Sequence, residues 1–453
     1  MSNMVIAAAA ASSCAAGSGG GSPALHPDTA TAAAVIAALH EDAAGGERDD
    51  DAPLGVGTST TCEPNSDGTD YEVDRTLLLE LQESGSEGSY IRVKEMERNG
   101  KLPQCLLVCL KDIVLMGEDA RVLDAAMCVC AMSEVRAEGA ADEHRRKTLA
   151  YRMVRADLHH ACIEVLKRTQ NTTLAVYVAF ALVYIAEWYP EEVMAHKDIF
   201  PVVLVAMKTS VGPSEFLATI VSLVRCFCAV PWSLSQGATL ELVHRLHDIV
   251  ERPRCERISF IALAALENLA QNTEAAQVVL STPVVLSILA VLAGTPCELC
   301  IPATGALTYL VPHMTEASMT IFLRSGGLRI VAYIAGNSGR YDEVSRMHCF
   351  QIMGFVAGRA IHLGEVLAGV PVWAGELHEA LCREKTHPNL RYACMHLLWT
   401  LWTCTPDIMR DPQYAALRHV LSGETYAAVR RLAGGTGAAA LLARDVVSVV
   451  SGV

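Results

Sequence analysis

The strongest constraint on this chain is an apolar helical pattern that a short turn interrupts at nearly regular intervals. In FLRSGGLRIVAYIA the turn is a glycine pair, Gly326 and Gly327, between two short apolar segments. Glycine is unfavourable inside a helix and useful where the backbone must turn tightly. A pattern of this kind that recurs at a fixed period predicts an array of stacked helical repeats.

The turn does recur along the chain. The first apolar residue after each turn is one of seven positions, most of them 41 to 44 residues apart: Leu102, Leu158, Ile199, Leu240, Val284, Leu328 and Val370. A longer apolar helix follows each pair of short ones, as in FALVYIA, AALENLA and IMGFVA, and it repeats at a similar period. The sequence therefore predicts three helices in about every 42 residues.

One interval is longer than the others. Leu102 and Leu158 are 56 residues apart, and the spacing of the longer helices lengthens at the same link. Both spacings place an insertion at Ser133–Thr148, a charge-rich stretch that contains Gly139. We expect an exposed excursion here, either a solvated loop or a fraying extension of a helix.

Three helices per repeat, with a glycine-tolerant turn between the first two, resemble the armadillo repeat over roughly residues 91–410. The related HEAT repeat has two helices. The resemblance implies an all-α fold, a right-handed armadillo-type solenoid of about seven three-helix repeats. We assign residues 76–413 to the repeats and residues 414–453 to C-terminal capping helices.

The net charge of −14 is concentrated in the N-terminal region, since 13 of these negative charges fall in residues 1–90. Residues 1–75 are low in complexity and lack spaced apolar positions, which predicts a disordered acidic tail. The nearly neutral remainder disfavours nucleic acid as a partner. Sixteen cysteines without a framework spacing, together with the lack of a long apolar run, predict a protein of the cytoplasm or also the nucleus, without a membrane span.

The sequence predicts no catalytic residue, no cofactor and no metal site. The CELC motif at Cys297–Cys300 has the spacing of half a zinc site, but no second pair follows it, and His244 and His247 belong to the preceding repeat. The pair His159–His160 begins a helix, where surface positions are the favoured interpretation over a catalytic pair.

The resemblance also suggests where a partner would bind. Armadillo proteins of the importin-alpha type carry tryptophan and asparagine four residues apart on their third helices, and here only Asn268 matches, with Ala264 at the tryptophan position. An import receptor is therefore not expected. Aromatic residues occupy the equivalent asparagine positions of other repeats: Tyr184, Phe227, Tyr309 and Phe355.

We therefore predict an aromatic groove formed by Tyr184, Asn268, Tyr309 and Phe355. The alternative is that these rings fill gaps between stacked repeats. The expected function is a non-enzymatic scaffold or adaptor that binds an extended or helical segment of a protein partner. A second interpretation is a regulatory subunit or assembly factor that binds and controls a catalytic partner.

Overall fold

Helices make up nearly all of the chain that the computed structural model describes. The described residues are 87–99, 102, 104–116, 119–133, 140–209, 214–230, 236–252, 255–294, 298–383, 385–404, 423–436 and 438–451, and no strand occurs among them. The acidic tail predicted for residues 1–75 lies outside these ranges. The prediction of an all-α helical-repeat fold is confirmed.

The chain divides after Val230 into two units. Unit 1 contains three groups of helices, which we call repeats 1 to 3. Their helices are α1 (Glu87–Arg98), α2 (Gln104–Met116), α3 (Asp119–Ser133), α4 (Ala140–Arg155), α5 (Leu158–Arg168), α6 (Thr172–Trp188), α7 (Pro190–Met194), α8 (Ile199–Thr209) and α9 (Glu215–Cys228).

Unit 2 contains repeats 4 to 7 and a C-terminal helix pair. Within its described residues, repeat 4 has two helices and repeats 5 to 7 have three each. The helices are α10 (Gln236–Glu251), α11 (Glu256–Ala270), α12 (Thr273–Leu280), α13 (Val284–Ala293), α14 (Cys300–Leu310), α15 (Glu316–Arg324), α16 (Gly327–Ala335), α17 (Glu343–Ala357), α18 (Leu363–Ala368), α19 (Val370–Cys382), α20 (Pro388–Cys404), α21 (Glu424–Ala433) and α22 (Ala438–Ser451).

Equivalent helices stack on one another within each unit. In unit 1, α2 packs on α5 and α5 on α8, while α3 packs on α6 and α6 on α9. In unit 2 the second helices α10, α13, α16 and α19 form one layer, and the third helices α11, α14, α17 and α20 form another. The C-terminal pair continues both layers, because α21 packs on α19 and α22 on α20. Each repeat therefore buries its apolar faces against its neighbours, as expected of a solenoid.

Side-chain caps fix where several third helices begin. The side chains of Asn171, Ser214 and Asp342 accept hydrogen bonds from backbone N–H groups in the first turns of α6, α9 and α17. Such caps satisfy backbone donors that have no partner within the helix. The local sequence thus sets the register in which each third helix presents its faces.

The glycine pair that interrupts the apolar pattern has two separate structural roles. Gly326 adopts the left-handed region, at φ 76°, and ends the turn between α15 and α16. Gly327 lies against the ring of Phe322, and a Cβ atom there would come within about 2.4 Å of a ring carbon. The first position therefore needs a glycine for its backbone angle and the second for lack of space.

The equivalent turn in unit 1 ends with a residue other than glycine. Asp157 precedes α5 in the left-handed conformation, at φ 61°, and its side chain makes no capping hydrogen bond. An aspartate that precedes a helix commonly caps it, and this one does not. Its Oδ1 instead lies 3.2 Å from Nδ1 of His160. The sequence favoured surface positions for both His159 and His160, but only His160 is exposed.

The predicted insertion is not a loop in the part that the structure describes. Residues 140–148 belong to α4, which has 16 residues, whereas the first helices of repeats 3, 5, 6 and 7 have five to nine. Asp142 and Arg146 are buried. Residues 134–139 lie outside the described ranges. Residues 140–148 thus lengthen the first helix of repeat 2 and do not form a solvated loop.

Within the described residues, no single helix is long and apolar enough to cross a membrane. One pair, α12 and α13, would suffice in combined length and composition, but the two helices meet at 79°. They are the first and second helices of repeat 5.

Candidate partner-binding surface

The four residues of the predicted groove have different environments. Tyr184 is 1% exposed, whereas Tyr309 and Phe355 are 40% and 37% exposed. Asn268 is partly exposed near the end of α11. The prediction that Tyr184 lies on an exposed flank is wrong, whereas Tyr309 and Phe355 are exposed. That these two residues and Asn268 bind a partner stays a prediction.

Tyr184 is buried because α4 packs against α6. Its hydroxyl donates a hydrogen bond to the backbone oxygen of Arg146, at 3.1 Å, and the Arg146 guanidinium lies 6.0 Å from the centre of its ring. Arg146 also pairs with Glu187 at 3.6 Å, and Glu187 pairs with Arg225 at 3.7 Å. These contacts join the first helix of repeat 2 to the third helices of repeats 2 and 3, which leaves no groove at this tyrosine.

Phe227, the other aromatic residue of unit 1 at an equivalent position, is also buried. Its ring centre lies 5.5 Å from that of Phe200 on the second helix of the same repeat. Both aromatic positions of unit 1 therefore belong to the core, as the alternative interpretation of the sequence proposed.

In unit 2, two exposed rings and two partly exposed rings form a patch at the third helices of repeats 6 and 7. Tyr392, His396 and Trp399 follow one another along one face of α20, and the His396 ring lies 6.4 Å from Tyr392 and 6.3 Å from Trp399. Phe355 on α17 lies 5.7 Å from His396. We call the five residues Tyr309, Phe355, Tyr392, His396 and Trp399 the aromatic surface.

A glycine on the neighbouring helix makes room for the His396 ring. Gly354 faces the imidazole so closely that a Cβ atom would come about 2.6 Å from Nδ1 of His396. Partial burial lowers the pKa of His396 below its usual range, so the ring is neutral at pH 7. The centre of the patch is therefore an uncharged aromatic ring held between three others.

The Tyr309 end of the surface carries a carboxylate. Glu267 extends from α11 across Gly305 of α14, where a Cβ atom would come about 2.5 Å from the carboxyl carbon. Burial raises the pKa of Glu267 to about 7. The same carboxylate contributes, after burial, to a raised pKa of Tyr309. Near neutral pH this group therefore exists in both protonation states, one a hydrogen-bond donor and the other a charged acceptor.

The sequence did not identify Tyr392, His396 or Trp399 as surface residues. The 46-residue step from Tyr309 to Phe355, taken once more, leads to Leu401 in repeat 7, which is buried. The spacing YxxxHxxW over 392–399 would have revealed the face, because residues four and seven apart lie on one side of a helix.

Two other features of the structure are a pocket and a cysteine–histidine pair. In unit 1, a pocket of 460 Å³ lies between the start of α6 and the second helix α8, lined among others by Asn171, Pro201 and Val205. In unit 2, Sγ of Cys382 lies 3.7 Å from Nδ1 of His378. Burial raises the pKa of Cys382, which disfavours the thiolate that a cysteine nucleophile requires.

Among the described residues of the metal-binding motifs that the sequence raised, Cys300, His244 and His247 are not grouped as ligands of one ion. His247 is buried and its Nε2 lies 2.9 Å from Oγ of Ser287. His244 is exposed on the same helix, and Cys300 is buried on α14, while Cys297 lies outside the described residues.

Comparisons with known proteins agree with the fold. No protein-family model matches the chain, and no curated protein matches it. Among solved structures, an engineered protein crystallised by the Northeast Structural Genomics Consortium superposes with a TM-score of 0.58 at 13% identity, over 83% of this chain and 98% of the other.

Two designed armadillo repeat proteins, one of them in complex with the peptide (KR)4, align with 55% of this chain and 99% of their own length. Their TM-scores are 0.43, at 11% and 10% identity. The likeness to the engineered protein extends over the whole of that protein and supports the helical-repeat fold, while an identity of 13% indicates nothing about function.

Proposed function

We propose that this chain is a non-enzymatic protein-binding scaffold, and that the aromatic surface of unit 2 binds an extended or helical segment of a partner protein. The observation that supports this proposal most directly is the exposure of Tyr309, Phe355 and Tyr392 on three successive third helices, at 37 to 40%. Large rings are normally buried between the repeats of such a fold, as Tyr184 and Phe227 are.

Aromatic rings are suited to this role. They offer a large contact area while losing little side-chain entropy on binding, and they are enriched among the residues that dominate interface energies. The rings around His396 are already held in contact with one another, so little ordering is required when a partner binds. Because the third helices are stacked, their aromatic rings line up along the solenoid, which suits an elongated segment.

The experiment selects ligands on the purified full chain from a displayed library of random peptides, and then measures the affinity of individual selected peptides. Replacing Phe355 or Tyr392 with serine should weaken the binding of these peptides by roughly tenfold or more, since hot-spot truncations cost about 2 kcal/mol. The matched control is Ile361→Ser, because Ile361 is a 78% exposed apolar residue in the same unit and outside the aromatic surface.

A photo-crosslinking amino acid at position 392 then locates the bound peptide. Crosslinks at this position, together with the losses in the two variants, would support the proposal. Selected peptides that bind Phe355→Ser and Tyr392→Ser as tightly as the parent protein would contradict it, and so would equal losses in Ile361→Ser.

A further inference from the structure

The aromatic surface of unit 2 carries polar atoms that have no partner among the residues that the structure describes. Within those residues, no hydrogen bond is made by the hydroxyls of Tyr309 and Tyr392, the indole nitrogen of Trp399 or the ring nitrogens of His396. The indole N–H can only donate a hydrogen bond, whereas a phenol hydroxyl or a neutral imidazole can donate or accept one. The surface therefore offers a partner hydrogen-bond donors on an apolar background.

This combination favours a segment whose carbonyl groups are free. In an α-helix the carbonyls accept hydrogen bonds from the helix's own N–H groups, and a β-type extended segment brings as many N–H groups as carbonyls. A polyproline II segment has no internal hydrogen bonds, and its prolines bring no N–H group at all. Its carbonyls can accept hydrogen bonds from the aromatic side chains, and no backbone donor of a proline is left without a partner.

The stacking of the third helices matches the same conformation. The helices α11, α14, α17 and α20 pack on one another in that order. Packed helices lie about 8–10 Å apart, and one turn of a polyproline II segment, three residues at about 3.1 Å each, advances by about 9 Å. A segment that crosses the third helices would therefore present the same face to each of them, once per turn.

Charge specifies one end of the segment. Glu267 is partly exposed and extends over Gly305, which lies one helical turn before Tyr309 on α14. No basic residue that the structure describes pairs with Glu267. A cation placed here is attracted both by the carboxylate and by the face of an aromatic ring. The remaining rings, including the neutral His396, call for an uncharged stretch.

We propose that the partner segment is a proline-rich stretch in the polyproline II conformation, with one lysine or arginine beside Glu267. This inference rests on the proposed function, because it specifies the ligand of the aromatic surface. Aromatic-lined grooves of other peptide-binding domains bind proline-rich segments, which are already ordered before they bind. The three steps from α11 to α20 correspond to about nine residues of such a segment.

The test uses synthetic fluorescein-labelled peptides and the purified full chain at pH 8. The probe is eight prolines and one lysine, about the length of the surface, in two versions with the lysine at either end. A glycine–serine peptide of the same length and charge is the control for conformation. Fluorescence anisotropy should show that one proline version binds at least about tenfold more tightly than this control, because the flexible peptide must be ordered on binding.

Three variants locate the contacts. Phe355→Ser should weaken the proline peptide by roughly tenfold or more, since a ring is lost. Tyr392→Phe keeps the ring and removes the hydroxyl, so we expect a weakening of about three- to tenfold. Tyr333→Phe is its matched control and should have no effect, because Tyr333 is a 42% exposed tyrosine on the second helix α16.

The third variant, Glu267→Gln, tests the charged end. It should weaken the lysine peptide by about three- to tenfold and leave a version with norleucine in place of lysine unchanged. The same loss with both peptides would contradict the place given to the cation.

The proposal is overturned if neither proline version binds more tightly than the glycine–serine peptide, or if Phe355→Ser binds them as the parent protein does. Peptides selected from the random library separate this failure from that of the proposed function. Selected peptides that contain no proline run and still lose affinity in Phe355→Ser would reject the polyproline II segment and uphold the aromatic surface as a binding site. Selected peptides that Phe355→Ser binds unchanged would reject both.

Discussion

The two units use the same position of the third helix in different ways. In unit 1, Tyr184 and Phe227 are fully enclosed, while in unit 2, Tyr309 and Phe355 are more than one-third exposed. The 16-residue helix α4 reaches Tyr184, whereas the first helices of repeats 5 to 7 have six to nine residues. Equivalent positions in a repeat protein therefore do not have equivalent roles. The long first helix covers Tyr184, and Phe200 on the second helix of its own repeat packs against Phe227.

The comparison is tested most strongly by removing one ring from each unit. Tyr184→Ser should lower the free energy of unfolding by about 3–5 kcal/mol, because it leaves a large cavity and removes the hydrogen bond to Arg146. Tyr309→Ser should lower it by less than about 1 kcal/mol. Thermal and urea unfolding measure both. Equal losses of stability in the two variants would show that Tyr184 and Tyr309 contribute equally to the core.

Arg146 helps to enclose Tyr184 in unit 1. Its replacement should have the next largest effect on the free energy of unfolding. Arg146→Met should destabilise the chain by about 2–3 kcal/mol, because Glu187 is left in a buried place with only part of its counter-charge. Arg383→Met is the control: its side chain is 66% exposed and pairs with Glu379 on the surface, so we expect at most about 0.5 kcal/mol. If Arg146→Met left the free energy of unfolding unchanged, α4 would be held by apolar contacts alone.

The stability of the protein should depend on pH through Glu267, at the Tyr309 end of the aromatic surface in unit 2. The pKa of Glu267 in the folded chain is about 7, above the ordinary value of 4.5, because burial favours its protonated form. Its contribution to stability is therefore complete below about pH 4.5 and is lost as the pH rises through 7.

The size of this effect should be about 2 kcal/mol between pH 4.5 and 8, and Glu267→Gln should abolish it. Gly305→Ala should act in the same direction, since its new Cβ would displace the carboxylate toward water. The measurement is the difference in urea midpoint between each variant and the parent protein across this range. If the urea midpoint depends on pH in the same way in Glu267→Gln and in the parent protein, Glu267 is solvated.

How much of this could be predicted from the sequence depends on the distance over which the residues interact. The repeat period and the glycine turn were predictable, because the helical spacing and the backbone preference of Gly326 are local properties. The burial of Tyr184 was not, since it depends on a contact with Arg146, 38 residues away. The ring contact of His160 with His196, at 4.7 Å, likewise joins α5 to a turn 36 residues later, and nothing in HHAC indicates it.

The smallest predicted effect concerns the turn between first and second helices, where unit 1 has Asp157 and unit 2 has Gly326 in the same left-handed region. Gly326→Ala should destabilise unit 2 by about 1 kcal/mol, because an L side chain is strained at φ 76°. Asp157→Gly should instead stabilise the protein by about 0.5 kcal/mol, since it relieves that strain at φ 61° and loses only an exposed contact with His160.

Urea unfolding of the two variants beside the parent protein measures both signs. The two turns have the same backbone conformation, so relief of strain in one and its introduction in the other should give opposite effects on the free energy of unfolding. A loss of stability in Asp157→Gly would show that the contact of its carboxylate with His160 contributes more than the strain at φ 61° costs.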